Sequence, residues 1–314
     1  MTDLRSVAIV GAGAMGCFFA ARLTESGAAV TLIDIDAARL AALVRDGVTV
    51  SDDRGERVVK VGAAKATEVA GPVDLVVLFT KSMHSSAAIA SVVHLASPET
   101  WALTLQNGLG NAEVMAEVFA PERILAGVTN VPADLQGPTR VASHGAGQIT
   151  LGGFVASAKG GAEPVAALLR RAGLTVTVDE NVAAAIWDKV AFNAALNALA
   201  AITLLPNGGL DCPAGRRVAA SVVGEVVAVA AAKGIRLERG RIEARIDYAL
   251  ASHRTHKASM LQDRLAGRRT EIEQINGAIV WEAEAVGLQA PVNATLADLV
   301  RMIEAPPAGV SIPR

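Results

Sequence analysis

Short apolar runs alternate with helical segments through the first half of the chain. "SVAIV" (6–10), "AVTLID" (29–34), "LVVLFT" (75–80), "WALTLQ" (101–106) and "RILAGVT" (123–129) are continuous hydrophobic stretches of strand length, the pattern of strands buried on both faces. The segments between them, such as "MGCFFAARLTESG" and "DAARLAALVRDG", have helical composition and end at glycine, a residue suited to helix C-termini. That rhythm predicts a parallel sheet covered by helices. "RVASHGAGQITLGGF" and "GLTVTVDE" read as further strands around a helix in "AEPVAALLRRAG". After about residue 180 the strand signals nearly vanish, and helical patterns run over 181–203, 213–234, 238–256, 257–266, 270–287 and 293–304. The expectation is an α/β domain over 1–179 and an all-helical domain over 180–314, the latter ending in a proline-stiffened tail, "APPAGVSIPR".

One helical segment breaks its own pattern. In "WDKVAFNAALN" (187–197) the residues Lys189, Asn193 and Asn197 recur every fourth position, and such positions advance only about 40° around a helix axis, so they form one narrow stripe. Everything between them after Lys189 is apolar. Two readings stand, a solvated face and a set of polar groups gathered in a protected cleft. Asparagine is a poor helix former that gains nothing on an open face, which favours the cleft.

Composition narrows the partners. Of 314 residues, 52% are hydrophobic and 19% charged, with a net charge of -2, so a folded protein is expected, and no basic run suggests nucleic acid or an electrostatic membrane surface. The start "MTDLRSVAIVGAGAMG" lacks a secretion pattern, and the most apolar later run is interrupted by Glu225 and Lys233; a cytoplasmic location follows as the expectation. Cys17 and Cys212 lack metal or disulfide spacing and read as small core residues, and the pair His253 and His256 lacks a third ligand, so no metal is expected. The alanine-rich helical region offers a face that a second copy could bury, making a homodimer the expected assembly.

The most informative loop is "VAIVGAGAMG". Gly11, Gly13 and Gly16 stand in G-x-G-x-x-G spacing between a strand and a helix: the first glycine permits the tight turn, the second lets backbone approach a pyrophosphate, and the third lets the helix pack closely. The helix start at Ala14, Met15 and Gly16 would turn free N–H groups toward the phosphates. Asp34, ending the second strand, could accept from the adenosine ribose hydroxyls and would repel a 2′-phosphate, favouring NAD(H) over NADP(H). Asp36 reads as the cap of the next helix. The first domain is thus expected to be a Rossmann-type doubly wound parallel sheet. "TEIE" (270–273) has the spacing of a capping box, with Thr270 as cap and Glu273 reaching back, so Glu271 could be merely a favourable acid in a first helical turn.

With these motifs in place, the chain resembles the ketopantoate reductase (2-dehydropantoate 2-reductase) family from "GAGAMG" through "FTKS", "LQNGLGN", "WDKVAFNAALNALAAI", "PNG" and "SMLQDRLAGRRTEIEQINGAIV". The resemblance implies a helical domain like the C-terminal domain of 6-phosphogluconate dehydrogenase, and reduction of the 2-keto group of ketopantoate to (R)-pantoate by a nicotinamide coenzyme in a cleft between the domains, the reaction that serves pantothenate and coenzyme A biosynthesis. On matching positions it implies Lys189 as general acid, Asn193, Asn197, Asn207 and Ser259 as substrate ligands, and Asn107 beside both nicotinamide and substrate. Lys81, Ala133 and Glu271 would contact the coenzyme, Glu271 also influencing Lys189. NADP(H) is the family default, but an arginine carried by NADPH-dependent members is replaced here by "IDID", with Ile35 at or next to that position. NAD-dependent D-2-hydroxyacid dehydrogenases acting on branched or aromatic 2-keto acids are the alternative within this fold, and a non-catalytic NAD-binding sensor the alternative outside enzymology.

Overall fold

The structure, a computed structural model, describes residues 4–305; all of the tail except Ala305 lies outside the described residues. The chain forms two compact units. One comprises the chain up to Gln106 with Asn111–Ala185, the other Asn107–Gly110 with the chain from Ile186 onward.

In the first unit the apolar runs lie side by side. The eight-stranded sheet has the order Thr175–Val178, Gln148–Gly153, Ile124–Thr129, Trp101–Thr104, Leu75–Leu78, Ser6–Val10, Ala29–Ile33, Gly62–Ala64. Ser6–Val10 pairs in parallel on both sides, Val10 standing opposite Ile33 and Leu78. Such a strand has no solvated face, which is why Val7, Ala8, Ile9 and Val10 are all buried. The sheet is mixed and not wholly parallel: Gln148–Gly153 runs antiparallel to Ile124–Thr129. A parallel return needs a crossover of a dozen or more residues, usually helical. The connecting residues here instead supply Asp134–Leu135 and Arg140–Ser143 to a second sheet, ordered Gly55–Val59, Val48–Asp52, Arg140–Ser143, Asp134–Leu135. The hydrophobic pattern did not announce that sheet. The helix Ala14–Glu25 packs against both sheets, and its buried Arg22 donates to the carbonyls of Ala172 (2.8 Å) and Gly173 (2.9 Å).

The second unit is built around the helix Val182–Thr203 from Ile186 onward. Trp187, Val190, Ala191, Ala194, Ala195 and Ala198 on it are buried, and the small alanine side chains let neighbouring helices approach closely. The segments expected over 213–234 and 293–304 form Pro213–Ala232 and Pro291–Glu304. The segment expected as one helix over 270–287 is broken. It opens with a π-helical turn, Glu273–Gly277, and continues as Ala278–Ala285. The capping box does not form, because Glu273 makes a bidentate pair with Arg301 (2.7 and 2.6 Å) instead of reaching back to Thr270. Cys17 is buried, but Cys212 is exposed at the start of Pro213–Ala232, where its Sγ accepts from Gly215 N; it is a helix cap and not a core residue. Among the described residues no helix is long and apolar enough to cross a membrane.

Candidate active site

The glycine loop lies at the carboxyl end of Ser6–Val10, where that strand has a neighbour on each side and the order of connection reverses, the position at which open α/β sheets bind ligands. Gly11 has φ +106°, and a Cβ there would stand 2.7 Å from Thr80 N. A Cβ on Gly16 would stand 1.9 Å from the Gly11 carbonyl oxygen. Both are closed to any side chain. Gly13 differs, with nothing within 4 Å of a Cβ; its backbone is open to approach. Gly13 also begins the helix Ala14–Glu25 without a side-chain cap, so the first-turn N–H groups, at Ala14, Met15 and Gly16, are turned toward an incoming anion. These residues fit a dinucleotide pyrophosphate.

Asp34 follows Ala29–Ile33 and is held rigidly. Its Oδ2 accepts from Ala12 N (2.7 Å) and its Oδ1 from Ile35 N (2.8 Å) and Asp36 N (3.0 Å). Each carboxylate oxygen has more than one lone-pair site, so capacity for ribose hydroxyls remains. Asp36 caps Ala37–Asp46 by accepting from Arg39 N, while the Arg39 guanidinium donates to Ala12 O (2.8 Å). Ala12 is therefore held at both its N–H and its carbonyl. Lys81 follows Leu75–Leu78 and flanks the short turn Ser82–His84, and Ala133, following Ile124–Thr129, is half-buried against the first unit's core. Gly11, Asp34 and Lys81 thus follow the carboxyl ends of three neighbouring parallel strands, and Ala133 follows another parallel strand of the same sheet, separated from them by Trp101–Thr104.

The stripe seen in the sequence lies in the helical unit. Asn197 is 5% exposed, Lys189 and Asn193 half-buried, and Glu271 8% exposed, so the stripe is not a solvated face. Asn197 Nδ2 donates to Ser259 Oγ at 3.2 Å, joining two residues 62 positions apart in sequence. Lys189 feels opposing influences. Burial pulls its pKa down from 10.5 to about 8; the Glu271 carboxylate opposes that shift, and the Arg245 guanidinium adds to it. Asn207 is buried: its N–H donates to His256 O (3.0 Å) and its Nδ2 to Ala249 O (3.4 Å), while its Oδ1 is enclosed with no partner among the described residues. Asn107 is half-buried and falls in the same compact unit as Lys189.

The sequence reading passed over the flank of the stripe. Asp188 is buried beside Lys189 and takes Arg241 (3.1 Å) and Arg245 as ion-pair partners. The Arg245 guanidinium also stacks over the Phe192 ring at 5.1 Å. Arg241 and Arg245 are four apart on Arg239–Ser252, a spacing that marks one helix face, but nothing in the spacing says which acid that face meets.

A lysine near pKa 8 can give up a proton to a developing alkoxide and take one back in the reverse direction. For reduction, kcat/KM is expected to fall as pH rises through about 8, where the ammonium is lost, and oxidation to fall as pH drops through the same value. A profile for reduction that stays flat to about pH 10, the ordinary lysine range, would place the proton donor elsewhere.

Residues 7–155 match the model of the family described as ketopantoate reductase PanE/ApbA, and residues 181–304 its C-terminal counterpart. A 2-dehydropantoate 2-reductase of Halobacterium salinarum is 34% identical over 300 residues, covering 95% of this chain and 98% of that one. Among solved structures, a ternary structure of D-mandelate dehydrogenase with NADH and anilino(oxo)acetate superposes with a TM-score of 0.91 at 30% identity, covering 95% of this chain and 98% of that chain. A 2-dehydropantoate 2-reductase from Geobacter metallireducens does so with a TM-score of 0.88 at 32% identity, covering 95% and 99%. Matched over both units, with the glycine loop and the Lys189 stripe standing where the sequence motifs put them, the chain belongs to the ketopantoate reductase family, a family of nicotinamide-dependent oxidoreductases.

Proposed function

We propose that this chain reduces 2-dehydropantoate to (R)-pantoate, with NAD(H) in preference to NADP(H), in pantothenate biosynthesis. The observation that carries the reading is the half-buried Lys189 standing on the same helix stripe as Asn193 and the Ser259-bonded Asn197, where burial lowers its pKa. A reduced nicotinamide, when bound, would supply the hydride. Lys189 stabilises the oxygen that gains negative charge and delivers its proton there, an arrangement worth about 10²–10⁴-fold in rate. Glu271 favours the charged form that the reduction needs. Asn193 and Asn197 orient the keto acid through bonds that add no charge beside the lysine, each amide able to donate to an oxygen and accept from a hydroxyl. Asn107, Asn207 and Ser259 complete the substrate contacts; Lys81 and Ala133 belong to the coenzyme side. A homodimer in the cytoplasm is part of this reading.

One observation favours a second reading. The D-mandelate dehydrogenase solved with NADH has a fold very like this one, and Asp34 suits NADH, so an NAD-dependent D-2-hydroxyacid dehydrogenase acting on aromatic or branched 2-keto acids is the alternative. Initial rates on 2-dehydropantoate and on phenylglyoxylate, with each coenzyme, separate the two. For the first reading, kcat/KM is highest on 2-dehydropantoate with NADH. Asn197→Ala sharpens the comparison: KM should rise for 2-dehydropantoate more than for a keto acid lacking its hydroxyl, by the roughly 2- to 13-fold that a lost hydrogen bond of about 0.5–1.5 kcal/mol represents. Equal effects on both substrates would mean that Asn197 only buttresses Ser259.

A further inference from the structure

We propose that the π-helical turn Glu273–Gly277 is the positioning element of the reductase site, holding the Asn107 loop, Glu271 and the Lys189 helix in one frame through Gly108, Gln274 and Asn276. The inference rests on the proposed reductase reading for its catalytic consequence, but the geometry is independent of it. A π-turn inserts one residue into a helix, interrupts the regular ladder and is found disproportionately at functional sites. Here Gly277 N donates to Ile272 O at 2.9 Å, the wide bond that defines the turn.

Three connections leave this turn. First, the Gln274 carbonyl accepts from Leu109 N at 2.9 Å. Gly108 has φ +89°, and a Cβ there would stand 2.4 Å from Gln274 O, so only glycine lets the loop sit down on the turn. Asn107 immediately precedes that contact. Second, Glu271 lies just before the turn, its carbonyl accepting from Gln274 N at 3.2 Å, and its carboxylate acts on Lys189. Third, Asn276, 0% exposed, donates Nδ2 to the Ala194 carbonyl of the Lys189 helix (3.1 Å) and to Asn293 Oδ1 (3.0 Å).

The orientation of that last amide is determined by its partners. Glu225 accepts from Asn293 N (3.0 Å), Asn293 Nδ2 (2.7 Å) and Val292 N (2.8 Å). A carboxylate facing N–H groups is an acceptor, so Asn293 must turn its amide nitrogen to Glu225 and its oxygen to Asn276, and Asn276 must donate. The Asn276 Oδ1 is left enclosed with no partner among the described residues. An aliphatic residue would fill that volume without burying an idle acceptor; what it could not do is pull the turn onto Ala194. The polar chain from Glu225 through Asn293 and Asn276 therefore fixes where the Lys189 helix stands relative to Glu271.

Two variants test this, with Gly108→Ala pushing the loop off the turn and Asn276→Leu removing the donor at similar size. Each should lower kcat on 2-dehydropantoate with NADH by about 10- to 100-fold, the scale of a misplacement near 1 Å. Charged groups flanking Lys189 are Glu271, Arg245, Asp188 and Arg241; loosening Glu271 alone removes the influence that raises the lysine, so in Asn276→Leu the alkaline limb should move below about 8. The same shift should appear in an NMR titration of ¹³C-dimethylated protein, with the Lys189 signal assigned by its loss in Lys189→Ala. No turnover by the unaltered enzyme would sink the reductase reading alone. An unmoved Lys189 titration in folded Asn276→Leu overturns the positioning proposal, and if that variant fails to fold, turnover by Gly108→Ala within about twofold of the unaltered enzyme does so.

Discussion

Replacing Lys189 by alanine is expected to lower kcat by about 10²-fold or more while the affinity for NADH stays nearly unchanged. The reasoning runs from the residue's surroundings. Lys189 is the half-buried ammonium on a stripe whose other members are uncharged amides, and burial brings it to about pKa 8. On the proposed reading, its interaction with the keto oxygen strengthens as that oxygen becomes an alkoxide, so the loss belongs to the transition state far more than to the ground state. The glycine loop, at Gly11, Gly13 and Gly16, lies in the other compact unit, so its local geometry is built without the lysine. Lys189→Arg should recover little, because a guanidinium keeps the charge but does not release a proton in the working pH range. Steady-state kinetics with a fluorescence titration of NADH check both halves: near-normal turnover by Lys189→Ala would remove it from the catalytic role, and a large loss of NADH affinity would make it a coenzyme ligand.

NADH is expected to surpass NADPH in kcat/KM by about 30- to 150-fold, the equivalent of about 2–3 kcal/mol. Asp34 is pinned by three backbone N–H groups, from Ala12, Ile35 and Asp36, and cannot swing aside to admit a second anion without giving those bonds up. A 2′-phosphate there sets like charges within a few ångströms and forfeits the ribose hydroxyl bond. The opposing influence is Arg39. Its guanidinium sits on Ala12 O at 2.8 Å, beside the same loop, and would have to exchange that bond for the phosphate. Ile35 is 96% exposed, so Asp34→Ala combined with Ile35→Arg costs no packing at position 35 and should move the preference toward NADPH. If the unaltered protein works better with NADPH, Arg39 reaches the phosphate and Asp34 does not face the ribose.

Much of this was readable before any coordinates. Apolar runs of strand length are costly to hydrate, so "SVAIV", "LVVLFT" and "WALTLQ" belong in one core, and the G-x-G-x-x-G spacing asks for glycine at 11 and 16, where approaches of 2.7 and 1.9 Å indeed exclude a Cβ. Asp36 capped its helix because a short acceptor before an amphipathic run does so locally. The spacing of Lys189, Asn193 and Asn197 likewise follows from helical period alone. What failed were the places where a partner distant in sequence overrode a local preference. "TEIE" is a sound capping box until Arg301 claims Glu273. The run over 270–287 is a sound helix until Asn276 is drawn to Ala194 and Gly277 bonds to Ile272. The strand Gln148–Gly153 was legible, but its antiparallel pairing depended on the preceding residues joining another sheet.

The sequence by itself therefore determined most of the elements and the family, and nominated the residues proposed to carry the chemistry, because period, glycine geometry and capping act over a few residues. The tertiary structure alone decided which side of the stripe is buried, that Asn197 meets Ser259, that Asp188 meets Arg241 and Arg245, and that Asn276 ties the π-turn to the Lys189 helix. Those contacts join groups tens of residues apart, and their energies depend on desolvation that exists only once the helices have packed.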